Sequence, residues 1–220
     1  MNKLKCATIL NICLFALEVF AVGWMMSGIS GGILSASKLS VLKLFTVDSN
    51  ILLGIAALIA AIDEGKVLKG KKAEVSPGSY ICKLIGTVSV SLTMLVTVFF
   101  LAPTTAATYG FFASFYYSNF FLHLFNPVMS IVIFLLFEKT DMISRKKIFT
   151  ALIPVAIYEF YYALVAILHS SNGVIAEGYD WYGFFIGGIK SAVIVLPLIL
   201  AISYGIGYTL WRLNRRKPVG

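Results

Sequence analysis

Charge is what this chain has least of. Among 220 residues only 13% are Asp, Glu, Lys or Arg, against 59% apolar ones, and the mean hydropathy is +0.90. A polar shell cannot be drawn over that composition, which excludes a water-soluble globule. The three cysteines, Cys6, Cys13 and Cys82, offer neither a disulfide framework nor a CxxC metal pair, and they read as small apolar packers. No phosphate-cradling glycine loop, GxSxG elbow or cluster of metal ligands occurs, so neither a cofactor nor a metal is expected. Basic residues are not interleaved with aromatic ones in a patch, so nucleic acid is not an expected partner, and no protein partner is predicted.

What the chain does have is apolar runs of membrane-crossing length. They cover Cys6 to Met26, Val41 to Ile62, Tyr80 to Ala102, Tyr116 to Phe137, Ile148 to Leu168 and Phe184 to Trp211, each long enough for a hydrocarbon core. The expected fold is all-α, a polytopic bundle of six transmembrane helices forming a single domain over residues 1–220. The first run is too long for the apolar region of a cleaved signal peptide, and it is read as a helix.

Loop charges orient that bundle. Lys3, Lys5, Lys66, Lys69, Lys71, Lys72, Lys83, Lys139, Arg145, Lys146, Lys147, Arg212, Arg215, Arg216 and Lys217 fall on one side, whereas the stretches 103–115 and 169–183 carry no Lys or Arg. The positive-inside rule then puts both termini in the cytoplasm of a cell-membrane protein. The net charge of +8 is this orientation signal, assisted by anionic headgroups. The Lys/Gly-rich stretch Asp63 to Ser79 reads as a solvated connector.

Polar residues inside apolar spans are costly and point to function. In "LFTVDSNILLG", residues 44 to 54, Thr46, Ser49 and Asn50 fall on one helical face and Asp48 points away. Counted from Val41, Thr46 lies roughly 8 Å deep, and counted from Tyr116, His123 lies roughly 10 Å deep. On the fourth span Tyr116, Asn119, His123, Asn126 and Ser130 repeat at spacings of 3 and 4, a polar stripe that must face the interior. Pro127 lacks the N–H for the carbonyl of His123, so a kink is expected there, and Pro154 and Pro197 should act likewise in the fifth and sixth spans. Glu18, Asp48, Glu159, Tyr162 and Lys190 complete the set expected to line one cavity. Each has a plainer reading: an i−4 bond for Thr46, an interhelical bond for His123, a packing ion pair of Lys190 with Asp48 or Glu159, and an interfacial belt for the tyrosines.

"LFTVDSNILLG" followed by "FLHLFNPVMSIVIFLLFE" resembles the paired signature of the androgen-induced and androgen-dependent membrane hydrolase family and its bacterial relatives. "YEFYYALVAILHSSNGVIAEGYDWYGFF" is similar to that family's aromatic fifth span and outer loop. Asp48 and the stretch "AILHSSNG" depart from the pattern. The resemblance implies an intramembrane esterase for fatty acid esters, including those of hydroxy fatty acids, with Thr46 as nucleophile and His123 as base. Its site would lie in the outer-leaflet half, with membrane lipids as the source of substrate. On helical facing Asn50, Ser49 or Asn119 would donate to the oxyanion, Asn126 would orient His123, and residues 103–115 would cover the entrance. The rivals are a transporter or channel for a small polar solute or ion, built on Glu18, Asp48, Glu159 and Lys190, and an acyltransferase with the same dyad. A haem carrier using His123 and His169 is the weakest of them.

Overall fold

The computed structural model describes residues 2–29, 32–138 and 143–215. Lys139, Arg216 and Lys217, counted above with the basic side, lie outside them. Among the described residues six helices are long and apolar enough to cross a membrane: α1 Lys3–Met26, α2 Phe45–Leu68, α3 Pro77–Tyr109, α4 Ser118–Leu136, α5 Arg145–Leu168 and α6 Ile189–Arg215. The order and number of the apolar runs thus carry through to the fold, and the differences sit at their ends.

Those differences have local causes. Asn2 caps α1 by accepting the Leu4 N–H at 3.1 Å, so the helix starts before the apolar run does. Residues Lys38–Lys43 form a 3-10 turn and Leu44 is extended, so α2 begins only at Phe45. Asp63 and Glu64 then carry α2 past its apolar end. The connector that follows is latched: the Asp63 carboxylate accepts from Lys72 Nζ at 2.5 Å, from the Ser76 N–H and hydroxyl at 2.6 Å each, and from Ser79 Oγ at 3.0 Å. Those bonds anchor Ser76 and Ser79 at the start of α3, whose Pro77 needs no N–H partner there.

Side-chain contacts show successive helices running antiparallel. Glu64 near the end of α2 holds Asn11 near the start of α1 at 3.2 Å. Ser49 of α2 meets Thr93 of α3 at 3.1 Å, and Thr87 of α3 meets Ser130 of α4 at 2.7 Å. Close approach depends on small residues: a β-carbon on Gly86 would lie 2.9 Å from the Leu53 Cα, and one on Gly54 would lie 3.2 Å from the Glu18 Cβ. In the most apolar stretch of α3 61% of residues are buried, against 6% in α6. The core is therefore α1 to α4, and α5 and α6 flank it. At the basic end Trp211 Nε1 donates to the Ile143 carbonyl at 2.8 Å, and Asn214 Nδ2 donates to the carbonyls of Phe134 and Glu138. These bonds tie α6 to the end of α4 and to the segment ahead of α5.

Prolines act differently from the sequence expectation. Pro103, Pro127 and Pro154 each open an α-helical stretch whose preceding turn is not α: π over Thr97–Leu101, π over Phe121–Phe125, and 3-10 over Arg145–Leu152. In the π turn of α4 the Asn126 N–H reaches the Phe121 carbonyl, five residues back. The carbonyl that Pro127 leaves without its helical donor is accordingly Leu122, not His123, and Asn50 Nδ2 of α2 supplies the missing bond at 3.1 Å.

Candidate functional site

Two π turns face each other inside the bundle, and a hydrogen bond joins them. Thr97 opens the π turn of α3, His123 is the middle residue of the π turn of α4, and Thr97 Oγ1 lies 2.8 Å from His123 Nδ1. Both residues are buried, at 0% and 2% exposure, and among the described residues the other ring nitrogen, Nε2, has no hydrogen-bond partner. Such turns widen a helix by one residue and recur at functional sites, because the wider turn re-aims side chains that a regular helix would stack. Here the two turns bring a threonine hydroxyl and an imidazole from different helices into contact.

Thr97 also forms part of the wall of a cavity of about 50 Å³ between the core and the flanking pair. Thr46 lines it from α2, Thr93 from α3, and Tyr158, Glu159 and Tyr162 from α5. Tyr182 and Phe184 close it from the segment between α5 and α6. That segment is ordered by two devices. Asn172 and Gly173, at φ +53° and +80°, turn a short hairpin pairing Ser170–Ser171 with Val174–Ile175. Asp180 accepts from the Phe184 and Phe185 N–H groups at 3.0 Å each and from the Tyr162 hydroxyl.

Tyr182 completes the start of α2. Leu44, at the capping position of that helix, gives no side-chain bond, and the Tyr182 hydroxyl instead accepts the Phe45 N–H at 2.8 Å. The Thr46 N–H and hydroxyl also bond to it, and burial pushes the Tyr182 phenol above its ordinary range. A tyrosine from a distant loop thereby takes the place of an N-cap.

The residues singled out in the sequence are partly brought together. Thr46, Glu159 and Tyr162 share the cavity, and His123 reaches its wall through Thr97. Asp48 lies on a second, more open hollow of about 510 Å³ between α2 and α5, in line with its pointing away from Thr46. Glu18 is buried against Gly54 and close to Asn126, deep among α1, α2 and α4 and off both cavities. Lys190 is exposed and forms no ion pair with Asp48 or Glu159. Tyr116 is 55% exposed, so the inward stripe of α4 starts only at Asn119.

Three expected roles change. Asn50 gives its amide protons to the carbonyls of Thr46 and Leu122, at 2.6 and 3.1 Å, and Ser49 bonds the Thr46 carbonyl and Thr93. Asn119 lies beside Gly32 rather than on the cavity. Asn50 therefore has no proton left for an oxyanion, and Ser49 is held by two partners. The group on His123 Nδ1 is Thr97, not Asn126. Because α2 starts at Phe45, Thr46 sits in its first turn, whereas His123 lies about 7.5 Å along α4. The equal depths counted from Val41 and Tyr116 do not survive. Residues 103–109 continue α3, and the cavity is covered by Tyr182 and Phe184 instead.

Thr93, Thr97 and Tyr182 are site residues the sequence reading passed over. Ser89, Thr93 and Thr97 repeat every four residues on the third span, the same kind of stripe that marked His123. Tyr182 carries no such signal, since its partner is 137 residues away. Among the described residues no group of His, Cys, Asp and Glu is arranged to hold a metal. No known protein family, curated protein or solved structure matches the chain.

Proposed function

We propose that the chain is an intramembrane hydrolase of lipid esters, with His123 as base and Thr46 as nucleophile. The observation that carries the reading is the buried imidazole held through Nδ1 by Thr97, which itself forms part of the wall of an apolar cavity lined by Thr46. Holding one ring nitrogen and freeing the other is what a general base requires. Thr46 Oγ would attack the ester carbonyl carbon while Nε2 takes its proton, and the imidazolium would return that proton to the departing alkoxide. Water, activated by the same nitrogen, then releases the acid and restores the threonine. The same 2.8 Å bond favours a second assignment, in which Thr97 itself is the nucleophile. An acceptor other than water would make the same dyad an acyltransferase.

The test is labelling of the purified protein by a fluorophosphonate, with the labelled peptide identified by mass spectrometry. The expected result is modification at Thr46 that disappears in Thr46→Ala and in His123→Ala. Modification at Thr97 would move the nucleophile one helix over, and a folded protein that never labels removes the hydrolase reading.

The orientation belongs to the same proposal: both termini in the cytoplasm of the cell membrane, with the cavity in the outer-leaflet half. The basic end of the bundle supports it, since Lys3, Lys5, Lys66, Lys69, Arg145, Lys146, Lys147, Arg212 and Arg215 gather there. A fluorescent reporter that matures only in the cytoplasm, fused at the C-terminus, should light up. Activity of an export-dependent phosphatase at that position would invert the arrangement.

A transporter is favoured by one different observation. Buried polar contacts run the length of the core: Asn11 with Glu64, Lys83 with Glu138, Thr87 with Ser130, Glu18 near Asn126, and Thr97 with His123. A relay for ions or protons would use such a thread.

A further inference from the structure

Among the described residues the cavity wall holds one acid and no base. Glu159 is 6% exposed, and among the same residues its Oε1 has no hydrogen-bond partner and no Lys, Arg or His side chain lines the wall. A carboxylate in so apolar a wall is expensive unless something meets it.

What surrounds it is aromatic. Phe45, Tyr158, Tyr162, Tyr182 and Phe184 line the same space, with ring centroids 5.0 Å apart for Phe45 and Tyr158, 5.7 Å for Tyr162 and Tyr182, and 6.0 Å for Tyr162 and Phe184. The hydroxyls are engaged at the rim: Tyr158 donates to the Lys43 carbonyl at 2.6 Å, Tyr162 donates to Asp180, and Tyr182 accepts from Phe45. The ring bodies are left as the surface offered to a ligand.

A lone carboxylate among aromatic rings is the chemistry that takes an alkylated ammonium, by countercharge and by attraction of a cation to the ring faces. An anion would be repelled, and an uncharged alcohol would leave the ring attraction unused. The volume of about 50 Å³ excludes a whole lipid, so only a small head can enter. The hollow of about 510 Å³ next to it shares Phe45 and Tyr158 with the cavity and is otherwise walled mainly by Leu42, Leu52, Ile153 and Ile157. An alkyl tail fits there, and half-buried Asp48 on the same hollow adds a second negative charge on the approach.

We propose that the cavity binds the alkylated ammonium head of an amphiphile, with Glu159 as countercharge and the tail in the hollow between α2 and α5. This goes beyond ester cleavage and does not depend on it, since binding needs neither Thr46 nor His123. Calorimetric titration of the protein in an uncharged maltoside detergent tests it with three probes: dodecyltrimethylammonium, dodecanol and tetramethylammonium. Dodecyltrimethylammonium should bind at least about tenfold more tightly than dodecanol, and Glu159→Gln should erase that preference. Phe184→Leu should weaken the cation while leaving dodecanol unchanged, which keeps the test alive if Glu159→Gln fails to fold. Competition by tetramethylammonium would identify a water-soluble source of the head, and its failure a membrane amphiphile; either outcome upholds the site. Equal binding of the cation by wild type and a folded Glu159→Gln, or of dodecanol and the cation by wild type, overturns it. A protein that binds the cation and leaves esters intact upholds this site and sinks the hydrolase.

Discussion

His123→Ala should lower ester hydrolysis by about 10²–10⁴-fold, the usual contribution of a positioned proton acceptor. Nothing else near the cavity can take over. Among the described residues the wall offers hydroxyls and one carboxylate, and Glu159 sits on α5 rather than on the helices that carry Thr97 and His123. Thr97→Val is the informative companion, because it keeps the shape of the side chain and removes only the group bonded to Nδ1. If Thr97 positions the ring, kcat should fall while KM and fluorophosphonate labelling at Thr46 persist at a slower rate. If Thr97 is the nucleophile, covalent labelling vanishes altogether, and Thr97→Ser restores it. Unchanged hydrolysis in His123→Ala would remove the imidazole from the chemistry and leave it as a bond between two helices.

Lys83→Met should be the most destabilising single change in the core. The Lys83 side chain is fully buried on α3, and its Nζ lies 3.6 Å from the equally buried Glu138. Removing one partner of a buried ion pair typically costs about 3–5 kcal/mol, because the remaining charge keeps its desolvation penalty without its partner. A lowered unfolding midpoint in detergent, or failure to accumulate, is the expected result. Lys83→Met combined with Glu138→Gln should recover part of the loss, since both charges then leave together. A double variant as unstable as the sum of the two single changes would show that the pair does not couple.

The number and order of the apolar helices were legible in the sequence because hydrophobic runs of membrane length admit few other structures. The pairing of Thr46 with Ser49 and Asn50, and the outlying Asp48, followed from helical periodicity alone. Helix starts did not. Whether α2 opens at Val41 or at Phe45 depends on a phenol from the far end of the chain that satisfies its first N–H groups, and no local pattern encodes that. The partners of Asn50 were illegible for a related reason. A π turn ahead of Pro127 shifted the carbonyl left without a donor by one residue, so Asn50 became a structural bond to α4.

By itself, then, the sequence determined six apolar runs long enough to cross a membrane, their order and the faces on which their polar residues lie, because these depend on composition and on a period of 3.6 residues. Only the tertiary structure decided which polar groups meet. The bond between Thr97 and His123, the Tyr182 cap on α2 and the lone Glu159 among aromatic rings all join segments far apart in the chain. Their distances are set by how glycines and alanines let helices approach and by where π turns re-aim side chains, which are properties of the packed bundle and of no single helix.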